Sequence, residues 1–449
     1  ASTMNLGTNA LTISGASVAH SVNGDVTNGT LTFSMSGATT ITGAAGVDLP
    51  SISGTSTPGT PLLTLATIAT TKGISISGDA SFTAALTGGI STTSPTVGGA
   101  VVNSGTSTLT LDRSAAATLF LTGDLTLSGT GTVAFGVNTN TITITGNVMV
   151  STAFTLVTTA ATTNKATITF PDLPISVSGT VTNSTSIGGS ADDATTTNLG
   201  NIVFTDAGGV ANAVSFGGLV DNVTMTATLS TVDPVVTLSG QIQLNTGATA
   251  NNVYTLGNVT NSSTLGSATR MTGIGRIYFG AAHVGNVTAS AITNSSSYTG
   301  GIATNGDIDF VTTSTGTFTA TAIKSEGAKG GDIFIGDGNF SASSILNSRT
   351  ETGADITVGV TVGASTVTVS SSVTNSGKSN ITFASTQSGA VGIGKIVSTG
   401  TGTTAFPAAT TALFSFSSGL EVSGTGTVNL AGAGAASGNI TTGNINLTG

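Results

Sequence analysis

The chain has 449 residues, of which only 6% are charged, against roughly 25% in an ordinary soluble domain. Its net charge of −9 comes from 19 acidic and 10 basic residues without a basic block, and Trp is absent beside three Tyr, which excludes a nucleic-acid binder. Cysteine is absent too, so disulfides, thiolate metal sites and a Cys nucleophile are excluded, and no run approaches the ~18–20 apolar residues of a membrane span.

The sequence opens Ala1-Ser2-Thr3, without Met and without the charged and apolar regions of a leader. It reads as a mature product after signal-peptide removal. Residues 1–105 hold half of the eight prolines and are expected to form an irregular N-terminal β region or cap. From about 106 onward, short alternating runs take over, such as Thr108-Leu109-Thr110-Leu111 and Thr141-Ile142-Thr143-Ile144-Thr145. Period two with β-branched residues, bounded by Gly, Asn and Ser, predicts strands. Gly123-Asp124-Leu125-Thr126-Leu127 returns as Gly419-Leu420-Glu421-Val422, each followed by Ser-Gly-Thr-Gly-Thr-Val.

Two phrases then recur. One runs through Val181-Thr182-Asn183-Ser184, Val259-Thr260-Asn261-Ser262, Ile292-Thr293-Asn294-Ser295, Ile345-Leu346-Asn347-Ser348 and Val373-Thr374-Asn375-Ser376. The other is Gly-Asp-Ile at 306–308 and 331–333, with variants ending in Ile202, Ile277, Ile356 and Ile381. Ile277, Ile308, Ile333, Ile356 and Ile381 lie 31, 25, 23 and 25 residues apart. About three short strands per ~24 residues is the signature of a solenoid rung. The expected fold is all-β, a right-handed parallel β-helix over 106–449. The five Ile should stack inward, insertions should sit at turns, and Asn and Gly should serve the tight corners.

These Gly-Asp-Ile and Thr-Asn-Ser phrases resemble the β-strand repeats of secreted bacterial surface proteins, the autotransporter passengers and filamentous-haemagglutinin-like adhesins. The resemblance covers about 120–449 and implies a cell-surface or extracellular β-solenoid.

Catalytic chemistry is poorly supported. His20 and His283 are the only histidines, no Gly-x-Ser-x-Gly elbow occurs, and Asp192-Asp193 lies in a Gly/Ser/Thr loop. If the rungs are in register, Asp307, Asp332 and Asp355 form a column at ~4.8 Å spacing. Their repulsion must be relieved by solvent, corner amides, Arg276 or a hard cation, so these three residues are the candidate Ca²⁺ site. Clustered acids with a base cleave acidic polysaccharides in some β-helices, but only Lys324, Lys329 and Arg349 stand near, and the chain is not expected to be an enzyme. An ice-binding face would need Thr-x-Thr on one strand of every rung, and the run at 141–145 is not matched at 308–312 or 333–337.

The low charge fraction suits an exterior packed against copies of itself or covered by glycans, with sequons at Asn183, Asn222, Asn286 and Asn294. The expected function is a structural subunit of an extracellular filament, sheath or surface layer. It would assemble head to tail through strand edges at residues 5–13 and 438–449. An adhesin stalk that meets other cell-surface components or glycans is the alternative, and a polysaccharide-cleaving enzyme comes third. No cofactor other than Ca²⁺ is expected.

Overall fold

A computed structural model describes residues 100–449 apart from connecting segments: 104–107, 114–116, 122, 137–138, 157–161, 192–195, 207–210, 227, 230–235, 238–240, 245–250, 268–270, 273, 280–284, 300–304, 311–315, 337, 360–365, 384–389, 407–413, 430–439 and 448–449. Before residue 100 it describes strand backbones alone. His20, Asp192, Asp193 and His283 therefore lie outside the described residues or side chains.

Every strand pairing is parallel to a strand one rung away, and the described residues contain no helix. The molecule is a parallel β-helix with three sides. The first two sides are the halves of one bent strand, as in Thr317–Ser325, and the third is a short strand such as Ile333–Ile335. Alternation explains the bend. Phe318 and Ala320 point inward, two non-inward residues follow, and Ile323 and Ser325 point inward again. Since side chains alternate with period two, that extra residue resets the phase and turns the strand around the core.

The third side carries the expected ladder. Ile277 pairs with Ile308, Ile308 with Ile333, Ile333 with Ile356 and Ile356 with Ile381. All five are fully buried. Aromatic rings stack along the same side, with Phe135, Phe170 and Phe204 centred 4.9 and 4.6 Å apart. Burial of such apolar rows, at about 1.5–3 kcal/mol per large side chain, supplies the main stabilisation of a thin core.

Rung length is not uniform. On the third side Leu109 and Val133 are 24 residues apart, whereas Val133, Ile168, Ile202, Ile242, Ile277 and Ile308 are separated by 35, 34, 40, 35 and 31. Most of the extra residues enter the corner between the second and third sides. There they stack on one another as Ala153–Leu156, Ser186–Ala191, Thr224–Met225, Thr264–Ser267 and Ser297–Thr299. This lateral sheet has its own buried column of Phe154, Ile187, Met225, Leu265 and Tyr298. Insertions do sit at turns, as expected, but they cooperate across rungs.

The Thr-x-Thr run and the segments expected to match it lie on different sides of the helix. Thr139–Ile144 belongs to the first side, while 308–312 and 333–337 begin on the third. Along the first side the outward position is Thr143, Ser176, Ser215, Thr255, Thr288, Thr319, Ser341 and Thr368 in successive rungs. Toward the N-terminus, Met4–Gly15, Val26–Met35, Ser51–Ser56 and Gly73–Gly78 pair in succession and lead into Ala100–Asn103. Phe82–Leu86 likewise leads into Thr108–Arg113. The same parallel sheets therefore run through the stretch that composition sets apart.

Candidate functional site

Both repeated phrases converge on the corner between the second and third sides. Asn294 ends a strand there and is fully buried. Its Nδ2 donates to the carbonyl oxygens of Gly306 (2.9 Å), Gly331 (3.0 Å) and Asp332 (3.1 Å). Its Oδ1 accepts from the backbone N–H (3.0 Å) and hydroxyl (2.6 Å) of Ser296. Asn183 and Asn261 bind the carbonyls of Gly200 and Gly275 in the same way, each at 2.7 Å. The Asn is thus an internal clamp on the corner, not a residue in left-handed conformation. Among the described residues only Ala166 is a non-glycine with such a φ, and Gly306, at +70°, makes the left-handed turn. Two of the four expected glycan acceptors, Asn183 and Asn294, are inside the molecule, while Asn222 and Asn286 are exposed.

The Asp column exists, and the amides of the next rung relieve it. Asp307 Oδ1 accepts from the backbone N–H of Asp332 (2.9 Å), Asp332 Oδ1 from that of Asp355 (2.7 Å), and Asp355 Oδ1 from that of Asn380 (2.7 Å). Asn201 and Asn380 serve Gln241 (3.0 Å) and Thr403 (2.9 Å) identically. A short side-chain carbonyl or carboxylate at this position staples one rung to the next, which is why an Asx residue returns at rung intervals. Arg276 forms its ion pair with Asp309 and lies 4.7 Å over the ring of Tyr278, so it is not the direct partner of the column.

Electrostatically the column is unusual. Burial, reinforced by the charge of Asp332, pushes the Asp307 carboxyl up to about 8. Its Oδ2 is buried and meets no hydrogen-bond partner. Burial also raises Asp332, to about 6, partly offset by the amide of Asp355. One rung of the Asn column carries Asp221 instead, between Asn183 and Asn261. Its carboxyl is wholly buried, and burial pushes its pKa well above the usual carboxylate range, against the hydrogen bonds from Ser263 and the Val223 amide. Among the described residues, no group of three His, Cys, Asp or Glu side chains is arranged to hold a metal ion.

The bases near the column take separate roles. Lys324 is exposed on the second side. Arg349 is fully buried, its guanidinium spent on the protein's own oxygens. Lys329 stands with its ammonium 5.6 Å from the centre of the Tyr298 ring. That ring closes the lateral column beside a cleft of about 450 Å³, whose rim also holds Ser297 and Glu351. Sequence reasoning named Lys329 and Arg349 as bases but did not find the cleft, because it arises where the lateral sheet stops.

No family model, curated protein or solved structure matches this chain. No helix among the described residues is long and apolar enough to cross a membrane.

Proposed function

We propose that the chain is a structural subunit of an extracellular filament, sheath or surface layer, assembling head to tail by strand pairing between rungs. The observation that carries this reading is the sparsely charged exterior, whose first side presents a hydroxyl in successive rungs; the proposed junction falls at the rung containing Ile445–Leu447. Its neighbour pairs Leu420 with Ile445 and Val422 with Leu447, yet Ile445 and Leu447 are 57% and 69% exposed. The row they extend is buried at Ile396 and nearly so at Leu420. In this proposal the first strand of a second copy covers that apolar row as a further rung. A contact between different ends of the same subunit is heterologous and propagates without closing. The sparsely charged exterior, with its hydroxyl-bearing first side, favours dense packing of such rods.

Sedimentation and electron microscopy across a range of concentrations test the proposal. The native chain should form unbranched rods that lengthen with concentration. Ile445→Lys with Leu447→Lys should yield folded monomers, as should deletion of residues 1–13. A native chain that stays monomeric at high concentration would overturn the reading. The cleft beside Tyr298 would then favour the adhesin stalk, with glycans as the ligands to titrate.

A further inference from the structure

Arg349 breaks the repeat, and Ser325 and Gly330 accommodate the break. The corresponding position, two residues after the Asn clamp, holds Thr185, Ser263 and Ser296 in other rungs, with Gly at 327 and 377. These small residues stay within the corner. Arg349 instead sends its side chain back along the axis through the core. Its Nε donates to Ser325 Oγ one rung away (3.0 Å), and its Nη1 to the carbonyl of Ser296 two rungs away (2.8 Å). Nη2 donates to the carbonyl oxygen (2.8 Å) and the Oδ1 (3.2 Å) of Asn294. Room for this path comes from the rung between. Asn294 pairs with Ser325 and Ser325 with Asn347, so the clamp is replaced by the smaller Ser in the one rung that the guanidinium crosses. A Cβ on Gly330 would lie 2.5 Å from Nη1.

None of the four acceptors is a carboxylate, and burial lowers the Arg349 pKa to about 10. A buried charge of this kind is poor evidence for stability. The same chain builds neighbouring rungs with Asn at the clamp and Ser or Gly two residues on. The exception therefore has a role other than holding a rung together.

We infer that Arg349, with Ser325 as its socket, is a register pin that forces each rung to stack on its own predecessor. The need for one is evident in the core. Consecutive rungs present the same inward residues, Ile on Ile on the third side, so apolar packing barely separates correct stacking from stacking that skips a rung. Looping out one rung of ~24 residues adds only a slowly growing entropic cost. In a stack that omitted 317–325, Asn294 would stand where Ser325 now stands. The guanidinium would then have neither the gap nor its acceptors. A polar group that fits in one register alone is a known device for specificity.

Because the chain has no cysteine, introduced pairs report stacking directly. Thr293 and Lys324 are register partners, as are Lys324 and Leu346. Thr293→Cys with Lys324→Cys thus reads native stacking. Thr293→Cys with Leu346→Cys reads the skipped rung, since two rung spacings, roughly 10 Å, exceed disulfide reach. Each pair is placed in the parent chain and in one carrying Ser325→Asn with Arg349→Ser, then refolded, oxidised and analysed by mass spectrometry. The parent should close the native pair and leave the other reduced. In the repeat-restored variant the skipped-rung disulfide should rise at least tenfold. An unchanged yield would overturn the pin. So would failure of the variant to fold, because residues that serve neighbouring rungs would then be unable to replace Arg349 and Ser325, and the pair would be a stability element.

Discussion

At the scale of single residues, Asp307 should make stability depend on pH in an uncommon direction. Its folded pKa of about 8 lies above the ordinary carboxyl value, and that of Asp332, about 6, does so less. A raised folded pKa means that the stabilising protonated form is fully present below the unfolded pKa and is lost as pH rises through the folded one. Thermal stability should therefore fall between pH 4 and about 8, with Asp332 acting in the lower part of that window and Asp307 in the upper. At ~1.4 kcal/mol per unit the Asp307 carboxyl accounts for about 6 kcal/mol at most. Asp307→Asn keeps the staple, as Asn201 and Asn380 do at equivalent positions. That variant should melt higher than the parent at pH 8.5 and show a flatter profile. A parent profile that rises with pH would refute the assignment. Calcium is tested in the same assay. If the column takes a cation, millimolar Ca²⁺ should raise the melting temperature at pH 8.5, where the carboxyls are ionised, and Asp332→Asn should abolish the rise. No response would leave the amides and the proton as sufficient relief.

At the scale of strands, Ile333 sits between Ile308 and Ile356 with no exposure. Ile333→Asp would bury a lone carboxylate among apolar side chains and should cost several kcal/mol in denaturant unfolding. Thr357→Asp, on the outward face of the neighbouring strand, should cost far less. Equal costs would refute the inward assignment. This ladder was legible from sequence because one residue type recurs at one position of a two-residue period. The lateral sheet was not. Its column changes identity at each step, from Phe154 to Ile187, Met225, Leu265 and Tyr298. Only the lengthened intervals announced it. The Asp column was legible as an alignment, but its chemistry was not, because the partner of each carboxylate is a backbone N–H, which sequence does not display. Arg349 was visible only as a base near acids; its reach across two rungs depends on the gap at Ser325.

At the scale of the molecule, the parallel β-helix followed from composition and period, but its length did not. Dividing the chain into rungs of ~24 residues gives nineteen rungs and about 90 Å at ~4.8 Å each. The ladder from Met4–Gly15 through Ala100–Asn103 to Ile445–Leu447 has seventeen successive strands. Residues consumed by the lateral sheet add girth instead of height. If subunits stack end to end with the ladder continuing through the junction, seventeen rungs set an axial repeat of about 80 Å. The lateral sheet spans a few rungs in the middle and should appear as a bulge once per repeat, which makes the repeat measurable in averaged images of single rods. Fibre diffraction should show the ~4.8 Å reflection of strands perpendicular to the axis. A repeat near 80 Å with one bulge supports end-to-end pairing. Staggered side-by-side packing would place bulges at shorter intervals and would survive Ile445→Lys with Leu447→Lys, and either result would move assembly from the rung edges to the hydroxyl-bearing first side.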